Sequence, residues 1–380
     1  MKNFVKLIEQ VHAERFSVVA SRLVTKKIPV AYLSIAPLSQ AVNTVKNLRA
    51  QGLNVTHLFT FETPSDTNEL EFNVIHMSEA AQVYPYPEYV LITDNIEINF
   101  AKKFAGEFKI ILPTMIRYSK PEQVYETFMT HLDDLREVYE SLIDEESKKT
   151  FRGYWLGIIS NQISKVVYAN TPQYICAGFT PENGAIVIDC GAYDGGTAMR
   201  FVNMGCKVYS FEPGKDMFAV ARKVAEENNF VVENFGLGSH EHTAIFDSEL
   251  LAISNDAQES YSVPIKTLDS YVGEKKLPRV DFIKMDVEGA EPDILKGAAA
   301  TIAKYKPILA LSAYHKLDDF WTLMNFIKSI RPDYEFALRQ YATKPEDVAE
   351  FFPEERVKLF ETVGLDISLP NYEECVLFAR

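Results

Sequence analysis

Short apolar runs alternate along this chain with stretches whose apolar positions fall three and four residues apart. The runs read as buried strands and the three-four spacing as amphipathic helices. Before residue 118, strands are expected at 29–35, 54–61, 72–75, 89–93 and 108–112, with a helix over 38–51 that Gly52 closes. From 119 to 168 the chain reads as helical. Val124, Phe128, Leu132, Leu135, Val138 and Leu142 form an apolar stripe, and Asp133, Asp134, Glu137 and Glu140 fill the solvated face. The acidic run 144–149 interrupts this pattern, and a second helix over 150–167 carries Trp155. From Pro181 the alternation restarts. Strands are expected at 185–189, 207–211, 230–235, 243–247, 280–285, 308–313, 334–338 and 375–379, with helices at 215–227, 292–304 and 317–330.

Alternation of this kind predicts α/β architecture with parallel sheets. At 380 residues the chain is long for one core. Three parts are expected: a small degenerate Rossmann-like domain over 1–118, a helical connector over 119–170, and a second α/β domain over 171–380. The first turn of the N-terminal domain, Ser34-Ile35-Ala36-Pro37-Leu38-Ser39, has no glycine, and Pro37 removes an N–H donor. A phosphate cradle is not expected there.

Composition narrows the function. The apolar share is 47%, with no apolar run long enough to span a membrane and no signal-peptide pattern at Met1. Cys176, Cys190, Cys206 and Cys375 form no CxxC pair, which predicts reduced thiols, no zinc site and a cytoplasmic location. A net charge of −14 without a basic patch argues against a nucleic-acid partner and for a neutral or modestly charged small substrate. The N-terminal domain or the connector is the place for a homo-oligomer contact, if one forms.

The chemistry concentrates in two places. The strand ending at Asp189 runs into Gly191-Ala192-Tyr193-Asp194-Gly195-Gly196 and then into helix-compatible sequence, the grammar of a nucleotide-like cofactor turn. About 20 residues on, the next strand ends in Glu212, where a carboxylate can accept from both hydroxyls of a ribose. Asp189 and Asp194 would repel a pyrophosphate and attract a methionyl amino group, which favours S-adenosylmethionine over NAD. The second place is Asp286-Val287-Glu288-Gly289-Ala290-Glu291, which follows another strand. The strand after that delivers Tyr314 and His315 to the same rim. Asp286 and His315 are the candidate catalytic bases for a hydroxyl nucleophile. As an alternative, Asp286, Glu288, Glu291 and His315 could hold Mg²⁺, although their spacing does not require it. Glu291, ahead of Pro292, equally reads as an acid favoured at a helix start.

Asp189-Cys190-Gly191-Ala192-Tyr193-Asp194-Gly195, Phe211-Glu212-Pro213, Thr267-Leu268-Asp269 and Ile283-Lys284-Met285-Asp286-Val287-Glu288-Gly289-Ala290-Glu291 together resemble the FkbM family of S-adenosylmethionine-dependent methyltransferases. The resemblance spans about 181–341. It implies a class I methyltransferase sheet of seven strands with an antiparallel final hairpin, and O-methylation of a sugar, glycan or polyketide-like acceptor. It further implies that Asp189, Gly191 and Gly195, with the turn residues Ala192, Tyr193 and Asp194, meet the methionine end. Glu212 would hold the ribose, and Asn234 and Phe235 would flank the adenine. An insertion over 342–371 is expected to cover the acceptor. Two rival classes remain at this point: a NAD-linked oxidoreductase, and a catalytically silent scaffold that binds the cofactor or a partner.

Overall fold

A computed structural model of the chain describes residues 1–13, 16–34, 36–62, 70–76, 79, 89–92, 110–113, 121–160, 165–247, 252–253, 260–342 and 374–380. The insertion expected over 342–371 falls almost wholly outside them. The residues group into two compact units, each discontinuous in sequence. One comprises Met1–Thr130, Lys149–Tyr168 and Ala342–Tyr372; the other comprises His131–Lys148, Ala169–Tyr341 and Glu373–Arg380. Residues 119–170, expected as a connector, are shared between them.

The first unit holds five parallel strands, β1 (Val30–Ser34), β2 (Val55–Thr60), β3 (Asn73–His76), β4 (Tyr89–Ile92) and β5 (Ile110–Pro113), in the order β3-β2-β1-β4-β5. All five lie within two residues of their expected positions. Tyr32, Val45, Leu58 and Phe72 are core residues on one side of the sheet. The helix Leu38–Ala50 follows β1 as expected, and its first N–H, that of Leu38, donates to Glu62 Oε2 at 2.9 Å. A carboxylate of the chain itself thus occupies the position an anionic ligand would take. Two helices ahead of β1, Lys2–Ala13 and Phe16–Lys26, were not read from the pattern.

The second unit is built on β6 (Ile186–Cys190), β7 (Lys207–Phe211), β8 (Val231–Glu233), β13 (Phe282–Met285), β14 (Ile308–Ser312), β15 (Phe336–Gln340) and β16 (Cys375–Ala379), ordered β15-β16-β14-β13-β6-β7-β8. β16 runs opposite to the other six strands, antiparallel to both β14 and β15. This is the seven-stranded mixed sheet expected from the resemblance. A second sheet, β11-β10-β12-β9, uses β9 (Gly236–Leu237), β10 (His242–Asp247), β11 (Ala252–Ile253) and β12 (Ser260–Lys266). Of these only β10 was expected; Pro264 at the centre of β12 argues against a strand when read alone.

Three helical expectations change. The stripe 124–142 is two helices, Pro121–Thr130 and Leu132–Ser141, separated where His131 leaves helical geometry and stacks on Trp321. The run 144–149, expected as an interruption ahead of a helix over 150–167, instead starts that helix: Asp144 Oδ1 accepts the Ser147 N–H at 2.7 Å, and the helix runs Glu145–Ser160. The expected helix 292–304 is two short ones, Glu291–Gly297 and Ala299–Tyr305. A Cβ on Gly297 would lie 2.0 Å from the Gly238 carbonyl oxygen, so the close approach here needs glycine. Among the described residues no helix is long and apolar enough to cross a membrane.

Candidate active site

β6 and β13 are parallel neighbours in register, Cys190 opposite Met285. The sheet order grows away from this pair in both directions, so the turns leaving them flank the switch point, where ligands of open α/β sheets bind. Gly191 leaves β6 at φ +86, and a Cβ there would fall 2.0 Å from the Asp286 carbonyl oxygen. The Gly191 and Ala192 N–H groups donate to the Phe211 carbonyl at 3.1 and 3.0 Å. Gly195, at φ +91, precedes the helix Gly196–Asn203, and Asp194 Oδ1 accepts the Gly196 N–H at 2.8 Å.

A cavity of about 290 Å³ opens over this turn. Gly191, Ala192, Tyr193, Asp194, Glu212 and Asp286 line it, six of the expected site residues brought together. Asp189, Gly195, Asn234, Phe235 and His315 do not line it. Asn234 Nδ2 donates to the Glu212 carbonyl at 2.9 Å, and the Phe235 ring packs on Phe211 and Tyr271. The apolar wall expected from those two residues is supplied by Leu237, Phe246 and Ile265, all carried by the second sheet. Of that sheet only β10, which carries Phe246, was legible in the sequence, and its place beside the cavity was missed.

Glu212 ends β7 at the cavity wall. Its two oxygens accept the Tyr193 and Gly214 N–H groups, each at 2.8 Å, which leaves each oxygen a lone pair for a ligand. Burial raises its pKa, outweighing those two hydrogen bonds.

Asp189 has a different task from the expected one. It is fully buried, with its Oδ1 3.1 Å from Lys284 Nζ and its Oδ2 accepting the Ser210 hydroxyl at 3.0 Å. Lys284 Nζ also donates to the carbonyls of Gly191 at 2.6 Å and Cys190 at 3.3 Å. Two of the ammonium protons go to these carbonyls and its charge pairs with Asp189, which anchors the turn to β13. Burial alone would lower the Lys284 pKa, but Asp189 and Asp286 outweigh it and hold the group above its ordinary value. Lys284 was missed as a site residue. Its signal was a lone lysine inside an apolar parallel strand, a position that demands buried acceptors.

Asp286 accepts from two tyrosines, Tyr174 at 2.7 Å on Oδ2 and Tyr314 at 3.2 Å on Oδ1. Burial works to raise its pKa, yet Lys284, the Tyr174 hydroxyl and His315 prevail and lower it. His315 sits behind, 2.9 Å from Glu291 Oε1 through Nδ1 and 3.6 Å from both Asp286 and Glu288 through Nε2. Burial alone would lower its pKa, but Glu291 first, then Asp286 and Glu288, raise it to about 9. That shift favours the protonated ring at neutral pH. A histidine whose folded pKa exceeds its unfolded one adds stability that is complete below about pH 6.5 and vanishes as pH rises through about 9. Chelator-treated protein should lose thermal stability across that window, and His315→Gln should flatten the profile; an unchanged profile in the variant counts against the assignment.

Residues 189–339 match the model of the methyltransferase FkbM domain. Among solved structures, methyltransferase FkbM from Methylobacillus flagellatus KT superposes with a TM-score of 0.66 at 16% identity, covering 100% of this chain and 98% of that one. Precorrin-6y C5,15-methyltransferase from Geobacter metallireducens GS-15 (TM-score 0.32, 12% identity, 56% of this chain and 92% of that one) is too loosely similar to carry an argument. The same holds for Haemonchus contortus phosphoethanolamine N-methyltransferase 2 in complex with S-adenosyl-L-methionine (0.27, 9%, 97% and 98%). The comparison with curated proteins finds no match. The turn after β6, the acid following β7 and the Asp286 loop all fall inside the span that matches the methyltransferase FkbM domain, and the fold is that of the FkbM methyltransferase structure.

Proposed function

We propose that the chain is an S-adenosylmethionine-dependent O-methyltransferase acting on a hydroxyl of a sugar, glycan or polyketide-like small molecule. The observation that carries the reading is the charge of the cavity. Asp194, Glu212, Asp286, Glu288 and Glu374 line it, and the lysine among the lining residues, Lys284, is committed to two carbonyls and Asp189. Such a wall disfavours a pyrophosphate and favours a ligand carrying a sulfonium and an ammonium. The glycine turn fits the same ligand by letting backbone approach it closely.

When bound, the donor supplies an electrophilic methyl group on a sulfonium, already a good leaving group. Glu212 then accepts from the ribose hydroxyls, and Leu237, Phe246 and Ile265 offer the adenine an apolar face. Asp286 would take the hydroxyl proton of an acceptor whose oxygen receives that methyl group, the sulfur keeping the electron pair of the broken bond. A depressed pKa does not disable Asp286 here, because an alkylated hydroxyl is a far stronger acid than a carboxylic acid. Tyr174 and Tyr314 fix the carboxylate in place, and placement supplies most of the rate in such a transfer. The four buried, unpaired cysteines support the cytoplasmic expectation.

Calorimetry with S-adenosylhomocysteine tests the reading. Saturable binding is expected, and Glu212→Ala should weaken it about 100-fold, the worth of two hydrogen bonds to a charged acceptor. NAD recovered from purified protein, or no binding at millimolar ligand, removes the proposal.

A further inference from the structure

The side chains behind Asp286 carry more than an ion pair explains. Asp286, Glu291 and His315 each offer a donor atom within 4.8 Å of the others. Glu291 is fully buried at the start of the helix Glu291–Gly297; its Oε1 accepts the Val287 N–H at 3.1 Å, but its Oε2 has no hydrogen-bond partner. His315 is 8% exposed, and neither of its buried ring nitrogens makes a hydrogen bond, although carboxylate oxygens stand 2.9 and 3.6 Å away. The contacts are short but misaligned. Polar groups this deeply buried are ordinarily satisfied, and each exception calls for a cause. Three carboxylates, Asp286, Glu288 and Glu291, converge on one imidazole, an excess of negative charge even with that ring protonated.

We propose that Asp286, Glu291 and His315, with Glu288 closing from the cavity side, bind a first-row divalent cation. A nitrogen among carboxylates suits Mn²⁺ or Zn²⁺ better than Mg²⁺, which prefers an all-oxygen octahedron and retains its waters. Donors held at roughly 2.1–2.3 Å from one ion are at most ~4.6 Å apart, so the cluster needs to tighten only by a few tenths of an ångström. Asp286 and Glu288 also line the cavity, so the ion sits at its wall and can take an acceptor hydroxyl as a further ligand. That last step rests on the proposed methyl transfer; the cation site itself does not.

The test uses Mn²⁺ alone on the full chain stripped with a chelator. Equilibrium dialysis should show one tight Mn²⁺ per chain, and electron paramagnetic resonance should show coupling to a nitrogen nucleus. His315→Ala should abolish that coupling, and Glu291→Gln, nearly the same shape and retaining the Val287 hydrogen bond, should weaken binding 10-fold or more. Equal Mn²⁺ uptake by wild type and Glu291→Gln, or none by wild type, overturns the site and leaves a caged imidazolium. Calorimetry with S-adenosylhomocysteine on the same stripped protein separates the two proposals. Retained nucleoside binding without Mn²⁺ binding sinks only the cation, whereas absent nucleoside binding sinks the methyl-transfer reading.

Discussion

Lys284→Met should cost about 3–5 kcal/mol of folding stability, the usual penalty for stripping one partner from a buried ion pair. Methionine fills nearly the same volume, so the loss is electrostatic. Asp189, fully buried, keeps its charge without a counter-ion, and the carbonyls of Cys190 and Gly191 lose their donor. Urea denaturation measures the cost. Lys284→Met with Asp189→Asn should recover most of it, since no unpaired charge then remains and the Ser210 hydroxyl keeps an acceptor. If the two substitutions simply add, the pair is not the unit described. The raised lysine pKa adds a sign: a cation stabilised by folding contributes fully at neutral pH and below, and its share is lost only as pH climbs above about 10.5.

Gly191→Ala should be comparably damaging for a steric reason. The added methyl meets the Asp286 carbonyl oxygen at 2.0 Å, an atom of backbone in β13's exit loop that no rotamer change can move. At φ +86 any side chain also incurs about 1–2 kcal/mol of left-handed strain. We expect a total near 3 kcal/mol or more. In a unit of about 200 residues this lowers Tm by roughly 6–12 °C. Affinity for S-adenosylhomocysteine should fall at least 10-fold at temperatures where the variant is folded, because the cavity wall itself must shift. A variant with wild-type Tm would mean that the turn and the Asp286 loop are farther apart than described. By contrast, Gly184 also has positive φ but meets nothing within 4 Å, so Gly184→Ala should incur only the strain.

The strands of both large sheets were legible because each is a short, continuous apolar run bounded by turns, and parallel strands buried on both faces leave that signature. Residues placed at strand ends by such runs, Gly191, Glu212 and Asp286, were legible for the same reason. What escaped depended on partners remote in sequence. Nothing local announces that Tyr174 reaches Asp286, that Asp189 faces Lys284 instead of a ligand, or that Phe246 and Ile265 of a proline-bearing hairpin form a cavity wall. The charge state of His315 was not legible because it is set by Glu291, whose approach to the ring no local pattern announces. Likewise, Asp144 read as a break because capping depends on which way one side chain turns.

The lysine tether has a mechanical corollary. With one ammonium clamping two turn carbonyls and an acid of β6 to β13, the turn after β6 and the loop after β13 behave as a single block. Any give in the cavity wall is expected on the opposite bank, in the second sheet. There Ala244, Phe246, Val263 and Ile265 form a small core of their own, apart from the main one, so this flap can breathe without loosening the floor beneath the reacting atoms.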